Sequence, residues 1–129
     1  MNNMDISRQE ADNIFEEKIL DFYKNIPSKD SPTGIILGGQ PGSGKSAYAR
    51  SILMNNSDFV FINEDDLREY HPNYYYYLRR DDKNAADLTQ QVVNYWIEKL
   101  IIFCIDKKLN LITEGTMRSL KKKATMRLL

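Results

Sequence analysis

The stretch Gly39-Gln40-Pro41-Gly42-Ser43-Gly44-Lys45-Ser46 decides the fold, because three glycines, a lysine and a hydroxyl residue stand at fixed spacing. Glycines keep side chains out of a loop, so that backbone N–H groups can surround a phosphate at the start of a helix, whose dipole also attracts anions. In this pattern, the Walker A loop, Lys45 reaches the β- and γ-phosphates of a nucleoside triphosphate, and the Ser46 hydroxyl is a ligand for Mg²⁺. The alternative is a glycine-rich structural turn without a ligand.

The residues around this loop alternate between strand and helix patterns. Short apolar runs at residues 33–37, 59–62 and 109–113 predict buried strands, while residues 45–54 and 85–107 are typical of helices. Such alternation predicts an α/β fold with a parallel sheet and right-handed crossovers. The loop then lies between the first strand and the helix that follows it, as phosphate binding requires.

Three other segments complete the predicted organisation. Ser7 opens a capping-box pattern, which predicts a first helix that ends near Lys24. The polar, tyrosine-rich residues 63–82 predict a loop with at most one helical turn, at residues 66–69. The basic residues 117–129 predict a final helix, and no fourth strand follows.

Length, composition and charge place the chain in one broad class. With 129 residues, of which 42% are hydrophobic and 28% charged, it is expected to form a single domain, residues 1–129. Eighteen basic residues balance eighteen acidic ones, so bulk charge predicts neither nucleic acid nor a membrane surface as partner. No apolar run is long enough to span a bilayer, and no signal peptide is recognisable. The single cysteine, Cys104, lies in an apolar run, so we expect it to be buried and to serve packing. One cysteine cannot form an internal disulfide, which agrees with the reducing environment of the cytoplasm.

Acidic residues follow two of the predicted strands, where ligands of open α/β sheets bind. Asn63-Glu64-Asp65-Asp66 comes after the second strand, and Glu114-Gly115-Thr116 after the third. A carboxylate there can accept the proton of an attacking hydroxyl or hold Mg²⁺, and phosphoryl transfer uses both. The alternative is that Asp65 or Asp66 only caps the next helix.

Several other side chains remain open between a functional and a structural role. Four arginines could stabilise a transferring phosphoryl group or lie in solvent on the surface: Arg68, Arg79, Arg80 and Arg118. His71, the only histidine, is expected in a turn. Residues 74–77, all tyrosines, could stack on a sugar or base, or pack with exposed hydroxyls. Helical periodicity turns Glu98 towards solvent.

Taken together, four segments resemble the zeta toxin family of bacterial toxin–antitoxin systems. They are Gly38-Gly39-Gln40-Pro41-Gly42-Ser43-Gly44-Lys45-Ser46, Ile62-Asn63-Glu64-Asp65-Asp66-Leu67-Arg68, His71-Pro72 and Ile112-Thr113-Glu114-Gly115-Thr116-Met117-Arg118. The resemblance covers residues 33–118. It implies a three-layer P-loop kinase fold with strand order 2-3-1-4-5.

The resemblance also implies an activity, which is ATP-dependent phosphorylation of the 3′-hydroxyl of UDP-N-acetylglucosamine. It implies that residues 39–46 bind ATP, with Lys45 and Ser46 as the ATP and Mg²⁺ residues, and that Asp65 deprotonates the sugar hydroxyl. Three further residues are implied to bind the sugar nucleotide, namely Glu98, Glu114 and Thr116. Arg118 is implied to lie near the phosphates. A small antitoxin protein is an implied partner.

Family members continue beyond the point that corresponds to Leu129, with further strands and arginines, so the chain is expected to be a truncated, three-stranded form of the domain. The first strand would then be an exposed sheet edge. Two alternatives stay open beside the sugar-nucleotide kinase. One is an inactive remnant that binds ATP or an antitoxin, and the other is a P-loop kinase of a different small hydroxyl compound.

Overall fold

The computed structural model of the protein describes residues 4–37, 45–55 and 58–114. The chain forms two compact units, the first from Met1–Asn25 and Glu64–Lys99, and the second from Ile26–Asn63 and Leu100–Leu129. Among the described residues, no helix is both long and apolar enough to cross a membrane.

A parallel three-stranded sheet is the centre of the second unit. Its strands are β1 (Gly34–Leu37), β2 (Val60–Ile62) and β3 (Leu111–Glu114), in the order β1-β3-β2. Both pairings are parallel, with Gly34 and Val60 each opposite Leu111. The predicted α/β class, the parallel sheet and the 2-3-1 order of the first three strands are therefore confirmed.

Burial in the sheet follows strand position. Leu111, Ile112 and Thr113 of the central strand are all buried, as expected for a parallel strand that is covered on both faces. Ile36 of β1, at one end of the three-stranded order, is 37% exposed. Among the described residues of the two outer strands, the side chains of β1 are thus more exposed to solvent than those of β2.

Asn110 aligns the starts of all three strands. Its side-chain oxygen accepts a hydrogen bond from the backbone N–H of Thr33 at 2.7 Å, and its backbone carbonyl accepts one from Val60 at 2.8 Å. The N–H of Leu111 donates to the Thr33 carbonyl at 2.9 Å. One residue before the central strand therefore fixes the register on both sides.

Two helices belong to the predicted α/β alternation. Helix α2 is Lys45–Asn55, and the long helix α5 is Ala85–Asp106, which contributes residues to both units. Each agrees with its predicted bounds to within one residue. Strand β3 begins two residues later than predicted and includes Glu114, because its pairing with β1 continues to that residue.

The turn between α5 and β3 has the hydrogen bonds of a Schellman motif. The Leu109 N–H donates to the Cys104 carbonyl at 2.9 Å, and the Lys108 N–H donates to the Ile105 carbonyl at 3.2 Å. Lys108 has a φ of 57°, the left-handed conformation that this motif requires. Leu109 and Cys104 are both buried and supply its apolar contact.

The first unit is helical. Helix α1 is Arg8–Ile14, and its helical path continues as a π-helical turn over Phe15–Ile19 and a 3₁₀ turn over Leu20–Phe22. The Ser7 hydroxyl accepts a hydrogen bond from the Glu10 N–H at 3.0 Å, so the predicted cap is confirmed. The helical segment ends two residues before the predicted Lys24.

The core of the first unit forms between α1 and α5. Trp96 is fully buried, and its indole N–H donates to the Ala11 carbonyl at 2.9 Å. The other buried apolar side chains of this unit lie at helical spacing on both segments or on neighbouring helices: Ala11, Phe15, Ile19, Leu67, Ala85, Val92, Val93 and Ile97.

The prediction of a loop over residues 63–82 with one helical turn at residues 66–69 is right about a short helix near that turn and wrong about the rest. The structure has two short helices there, α3 (Glu64–Arg68) and α4 (Tyr74–Arg80). Helix α3 buries Leu67 and Arg68, and α4 is connected to the chain's N-terminal segment through a hydrogen bond from the Tyr77 hydroxyl to Asp5. Both helices depend on contacts distant in sequence, which local composition does not reveal. The helix predicted for residues 117–129 lies outside the described residues.

Candidate functional site

The predicted phosphate-binding loop has the strand and the helix that its sequence requires on either side. Strand β1 ends at Leu37, and α2 begins at Lys45 with Ser46 as its second residue. Residues 38–44, which include the predicted ATP-binding Gly39, Gln40, Pro41, Gly42, Ser43 and Gly44, lie outside the described part of the chain. A lysine and a serine that open an eleven-residue helix fit a phosphate group, because the helix N-terminus and the ammonium group both favour anions. A hydroxyl at the next position fits the hard-ligand preference of Mg²⁺.

Glu114 lies beside the entry to this loop. It is the last residue of β3, and its Cα partner in the parallel ladder is Leu37, the last residue of β1. Sequence reasoning put Glu114 after the strand, whereas the ladder places it within the strand. The backbone of Glu114 is therefore next to the point where the chain leaves the sheet for the phosphate loop. Thr116 and Arg118 lie outside the described residues.

Asp65 is the second residue of α3, three residues after β2 ends at Ile62. Because the helix begins at Glu64, the capping position belongs to Asn63, and the interpretation of Asp65 or Asp66 as the cap is wrong. Both aspartates lie in the first turn, where the helix dipole favours negative charge. The Asp65 side chain is exposed, and its role as a base stays a prediction.

Glu98 lies on α5 with an exposed side chain. Its neighbours Trp96 and Ile97 are buried, so the helical periodicity gave its orientation correctly. Its role in sugar-nucleotide binding stays a prediction. In the described ranges, no group of three histidine, cysteine or acidic side chains is arranged to hold a metal ion.

Arg68 is buried. The sequence had suggested either a surface arginine or one that stabilises a phosphoryl group, and neither prediction included burial. Arg68 is 4% exposed, and its Nε donates to the Thr89 hydroxyl at 3.2 Å. Its Nη2 donates to the Gln90 side-chain oxygen at 2.7 Å and lies 3.9 Å from a carboxylate oxygen of Glu64. The four-residue spacing of Glu64 and Arg68 was the one sequence signal for part of this group.

His71 is a second buried polar residue. The sequence predicted its place in a turn but not its burial. It lies in a bend, as expected, but its ring is enclosed. Its Nδ1 accepts a hydrogen bond from the Asn73 N–H at 3.0 Å, so Nε2 carries the proton and donates to Asp5 at 2.8 Å. The other Asp5 oxygen accepts from the Tyr77 hydroxyl. His71 therefore connects the turn before α4 to the N-terminal segment.

Asp12, Tyr95 and Lys99 form a half-buried polar cluster between α1 and α5. One oxygen of Asp12 accepts from the Tyr95 hydroxyl at 2.5 Å and from the Lys99 ammonium at 2.9 Å. The hydrogen bond from Tyr95, followed by that from Lys99, lowers the pKa of Asp12. Burial, together with the hydrogen bond to Asp12, raises the pKa of Tyr95. The cluster holds the two helices together and contains none of the predicted site residues.

The tyrosine run, residues 74–77, forms most of α4, and its two middle residues are more exposed than its two outer ones. Tyr75 and Tyr76 are about half exposed, and the Tyr75 hydroxyl donates to Glu69 at 3.1 Å. The Arg80 guanidinium lies 5.5 Å from the centre of the Tyr76 ring, and Arg79 is exposed. The predicted packing with exposed hydroxyls is therefore only partly right, because the Tyr75 and Tyr77 hydroxyls bind Glu69 and Asp5, and none of the four tyrosines is fully buried.

Comparison with known proteins gives one consistent family. A sequence model of the family described as zeta toxin matches residues 16–128. The chain is 30% identical over 119 residues to Toxin zeta of Streptococcus agalactiae, with 92% of this chain and 42% of the relative covered. It is 30% identical over 111 residues to Toxin zeta of Enterococcus hirae, with 82% and 39% covered. It is 27% identical over 120 residues to Toxin PezT of Streptococcus pneumoniae, with 92% and 47% covered.

The fold comparison agrees with the sequence comparison. A solved chain from the PezAT chromosomal toxin–antitoxin system of the human pathogen Streptococcus pneumoniae superposes with a TM-score of 0.83 at 26% identity. The match covers 97% of this chain and 54% of the solved one, and the chain spans less than half the length of the curated relatives it matches. On the family match to residues 16–128 and the shared fold, this chain belongs to the zeta toxin family.

Proposed function

We propose that the protein is an ATP-dependent phosphotransferase that phosphorylates the 3′-hydroxyl of UDP-N-acetylglucosamine and acts as the toxin of a toxin–antitoxin system. The observation that carries the proposal is the pairing of Leu37 with Glu114, because it joins an acidic strand end to the entry of a Walker A loop. Parallel strands have their carboxyl ends at the same edge, and ligands of α/β sheets bind there. Family membership supports the same class of reaction.

In this proposal, bound ATP with Mg²⁺ supplies the phosphoryl group. Lys45 binds the β- and γ-phosphates, Ser46 is a ligand for the metal ion, and the loop glycines give backbone donors to the phosphates. Asp65 accepts the proton of the 3′-hydroxyl as the hydroxyl oxygen bonds to the γ-phosphorus and the bond to the β-phosphate oxygen breaks. The sugar nucleotide is held by Glu98, Glu114 and Thr116, and Arg118 stabilises charge near the phosphates.

Acceptor-dependent ADP release tests this activity. Because the matched segment is less than half of each relative, the assay uses both the protein and a chimera in which residues 16–128 replace the matching part of a full-length zeta toxin. We expect ADP release to depend on UDP-N-acetylglucosamine, and the phosphate to appear on its 3′-oxygen by NMR. ADP release that is unchanged without the acceptor, or absent from both proteins, would show the proposal to be wrong.

Replacement of the proposed base separates catalysis from binding. We expect Asp65→Asn to lower kcat by about 100-fold or more, since general base catalysis is worth that much, while ATP affinity by calorimetry stays near that of the unchanged protein. Asp87→Asn is the matched control, because Asp87 is also an exposed carboxylate in the first turn of a helix. Loss of ATP affinity in Asp65→Asn would assign Asp65 a structural role instead.

A second candidate is a nucleotide-binding or antitoxin-binding protein without transfer activity. The observation that favours it is the start of α2 at Lys45 and Ser46, because a lysine and a hydroxyl residue at that place serve nucleotide binding with or without phosphoryl transfer. Calorimetry with ATP and Mg²⁺ distinguishes the candidates, because binding without acceptor-dependent ADP release supports the second. A different small hydroxyl compound as acceptor is tested in the same assay by replacing the sugar nucleotide with nucleosides or antibiotics.

A further inference from the structure

Arg68 is an unusual residue for its position, since a guanidinium group is rarely buried unless every donor direction has a partner. It lies at the end of α3, is 4% exposed, and donates to Thr89 and Gln90 on α5. Its ion pair with Glu64 is long, at 3.9 Å, and Glu64 is half exposed. Neutral side chains on α5 are thus its closest partners.

Gln90 connects these groups into one network. Its side-chain oxygen accepts from Arg68 at 2.7 Å, and its side-chain nitrogen donates to Glu64 at 3.0 Å and to Asn94 at 2.8 Å. Thr89 accepts from Arg68 and lies within 3.0 Å of the Ala85 carbonyl oxygen, to which its hydroxyl donates. Both ends of α3, Glu64 and Arg68, are therefore bound to consecutive residues of α5.

Helix α3 depends on this attachment for its orientation. It has five residues, and a helix of that length does not persist on its own. Leu67 is its one buried apolar side chain, at 3% exposure. Besides this apolar contact, the hydrogen bonds at Glu64 and Arg68 attach both ends of the helix to α5.

Asp65 lies between the two attachment points. Its side chain is exposed, and among the described residues no hydrogen bond or ion pair holds it. The position of the carboxylate consequently follows the backbone of α3, which the network attaches to α5 at both ends.

We propose that Arg68 is a positioning residue for phosphoryl transfer, which acts through Thr89 and Gln90 to hold α3 and thereby the carboxylate of Asp65. The inference rests on the proposed function for its catalytic consequence, because Asp65 is the base only in that proposal. A general base has to lie within hydrogen-bond reach of the hydroxyl, so a displacement of about 1 Å costs on the order of 100-fold in rate.

Hydrogen exchange and kinetics on Arg68→Lys and Gln90→Ala test the inference. Lysine keeps the charge but not the planar donors that reach two partners, and alanine at position 90 removes the link to both Arg68 and Glu64. We expect amide exchange of residues 64–68 to become faster in both variants of the protein. In the chimera, we expect kcat to fall on the order of 100-fold for Gln90→Ala and less for Arg68→Lys, while KM for ATP changes less than about twofold.

Gln91→Ala is the matched control, because Gln91 is the next residue of α5 and is exposed. Unchanged exchange of residues 64–68 in both test variants would overturn the positioning role, and so would equal losses in kcat and ATP affinity, which indicate general unfolding. Asp65→Asn separates this result from the proposed function. If that variant keeps full activity, the proposed base is wrong; if it is inactive while Arg68→Lys and Gln90→Ala keep full kcat, the positioning inference alone is wrong.

Discussion

Lys108 adopts a backbone conformation that costs a lysine more than a glycine. Its φ of 57° places the Cβ close to the following carbonyl oxygen, a contact that glycine lacks. The position is nevertheless fixed, because the turn that it forms ends α5 and leads into the central strand, and its carbonyl accepts a hydrogen bond from the Lys29 N–H at 2.8 Å. The strain is therefore a local cost of joining these two elements.

Replacement of Lys108 by glycine should stabilise the protein. We expect the free energy of unfolding to rise by about 0.5 to 1 kcal/mol, since the relief of strain exceeds the entropy that glycine adds to the unfolded chain. Urea unfolding followed by circular dichroism measures the change. Lys107→Gly, at the neighbouring residue, is the control and should lower stability; a loss of stability in Lys108→Gly itself would contradict the expectation.

Cys104 should be unreactive in the folded protein. It is fully buried in the second unit, and burial raises the pKa of its thiol to about 12, so very little thiolate is present at pH 8. We expect a disulfide exchange reagent to modify it only after denaturant is added, with one thiol released per chain because Cys104 is the single cysteine. Rapid stoichiometric modification without denaturant would show that the thiol is accessible.

At the scale of residues, the sequence predicts what is local and misses what is distant. The Ser7 cap was predictable because its partner Glu10 lies three residues away. The burial of Arg68 was not, because Thr89 and Gln90 lie 21 and 22 residues further along the chain, and the Asp5 partner of His71 is 66 residues away. Glu114 was placed one residue wrongly because the length of a strand is set by its neighbour, Leu37.

Among the elements, α1 and α5 are joined by both apolar and polar contacts. The indole of Trp96 reaches the Ala11 carbonyl, and the ring of Phe15 lies 5.1 Å from the Lys99 ammonium. Lys99 also forms an ion pair with Asp12, so its ammonium group contacts both an aromatic ring and a carboxylate. This arrangement makes the pair of helices sensitive to acid.

The Asp12 contribution to stability should disappear at low pH. The pKa of Asp12 is lowered by the hydrogen bonds from Tyr95 and then Lys99, so the unfolded state binds a proton more readily than the folded state. Its stabilising effect is then fully present above the ordinary pKa of 3.8 and is lost as pH falls through the lower folded value. We expect Asp12→Asn to cost about 1 kcal/mol at pH 6 and progressively less as the pH falls below 3.8.

Urea unfolding of both proteins across this range of pH measures the difference. Asp21→Asn is the control, because the pair of Asp21 with Lys24 is exposed on both sides and should contribute less than about 0.5 kcal/mol at any pH. A cost of Asp12→Asn that stays constant from pH 6 to pH 2 would show that the ionised carboxylate is not what stabilises the helix pair.

The elements themselves were predictable to different degrees. The apolar run that became β2 and the helical spacing of α5 were sufficient to identify both, because each reflects burial on a regular period. Helix α4 escaped prediction, since tyrosine is a moderate helix former and four in a row show no apolar period. Its stability comes instead from Tyr77 bound to Asp5 and from Arg80 stacked on Tyr76.

For the whole molecule, fold class and family could be obtained from the sequence, while the side-chain contacts around the predicted site residues could not. The alternation of strand and helix patterns predicted the parallel sheet, and the order of its three strands is the one that the family resemblance implied. Family membership agrees with the order of the four motifs. The surroundings of Asp65, the proposed base, were not predictable, because Arg68 of the same helix binds Thr89 and Gln90, which lie 21 and 22 residues further along the chain.

The central place of β3 has a consequence for synthesis on the ribosome. Strands β1 and β2 pair with β3 and not with each other, and the Thr33 and Asn110 that align the sheet are 77 residues apart. At about 5 to 20 residues per second, roughly 4 to 15 seconds pass between translation of these two residues. Each of these two apolar strands lacks its partner in the native sheet from its own translation until that of β3, so we expect the nascent chain to expose them to chaperones that bind hydrophobic segments.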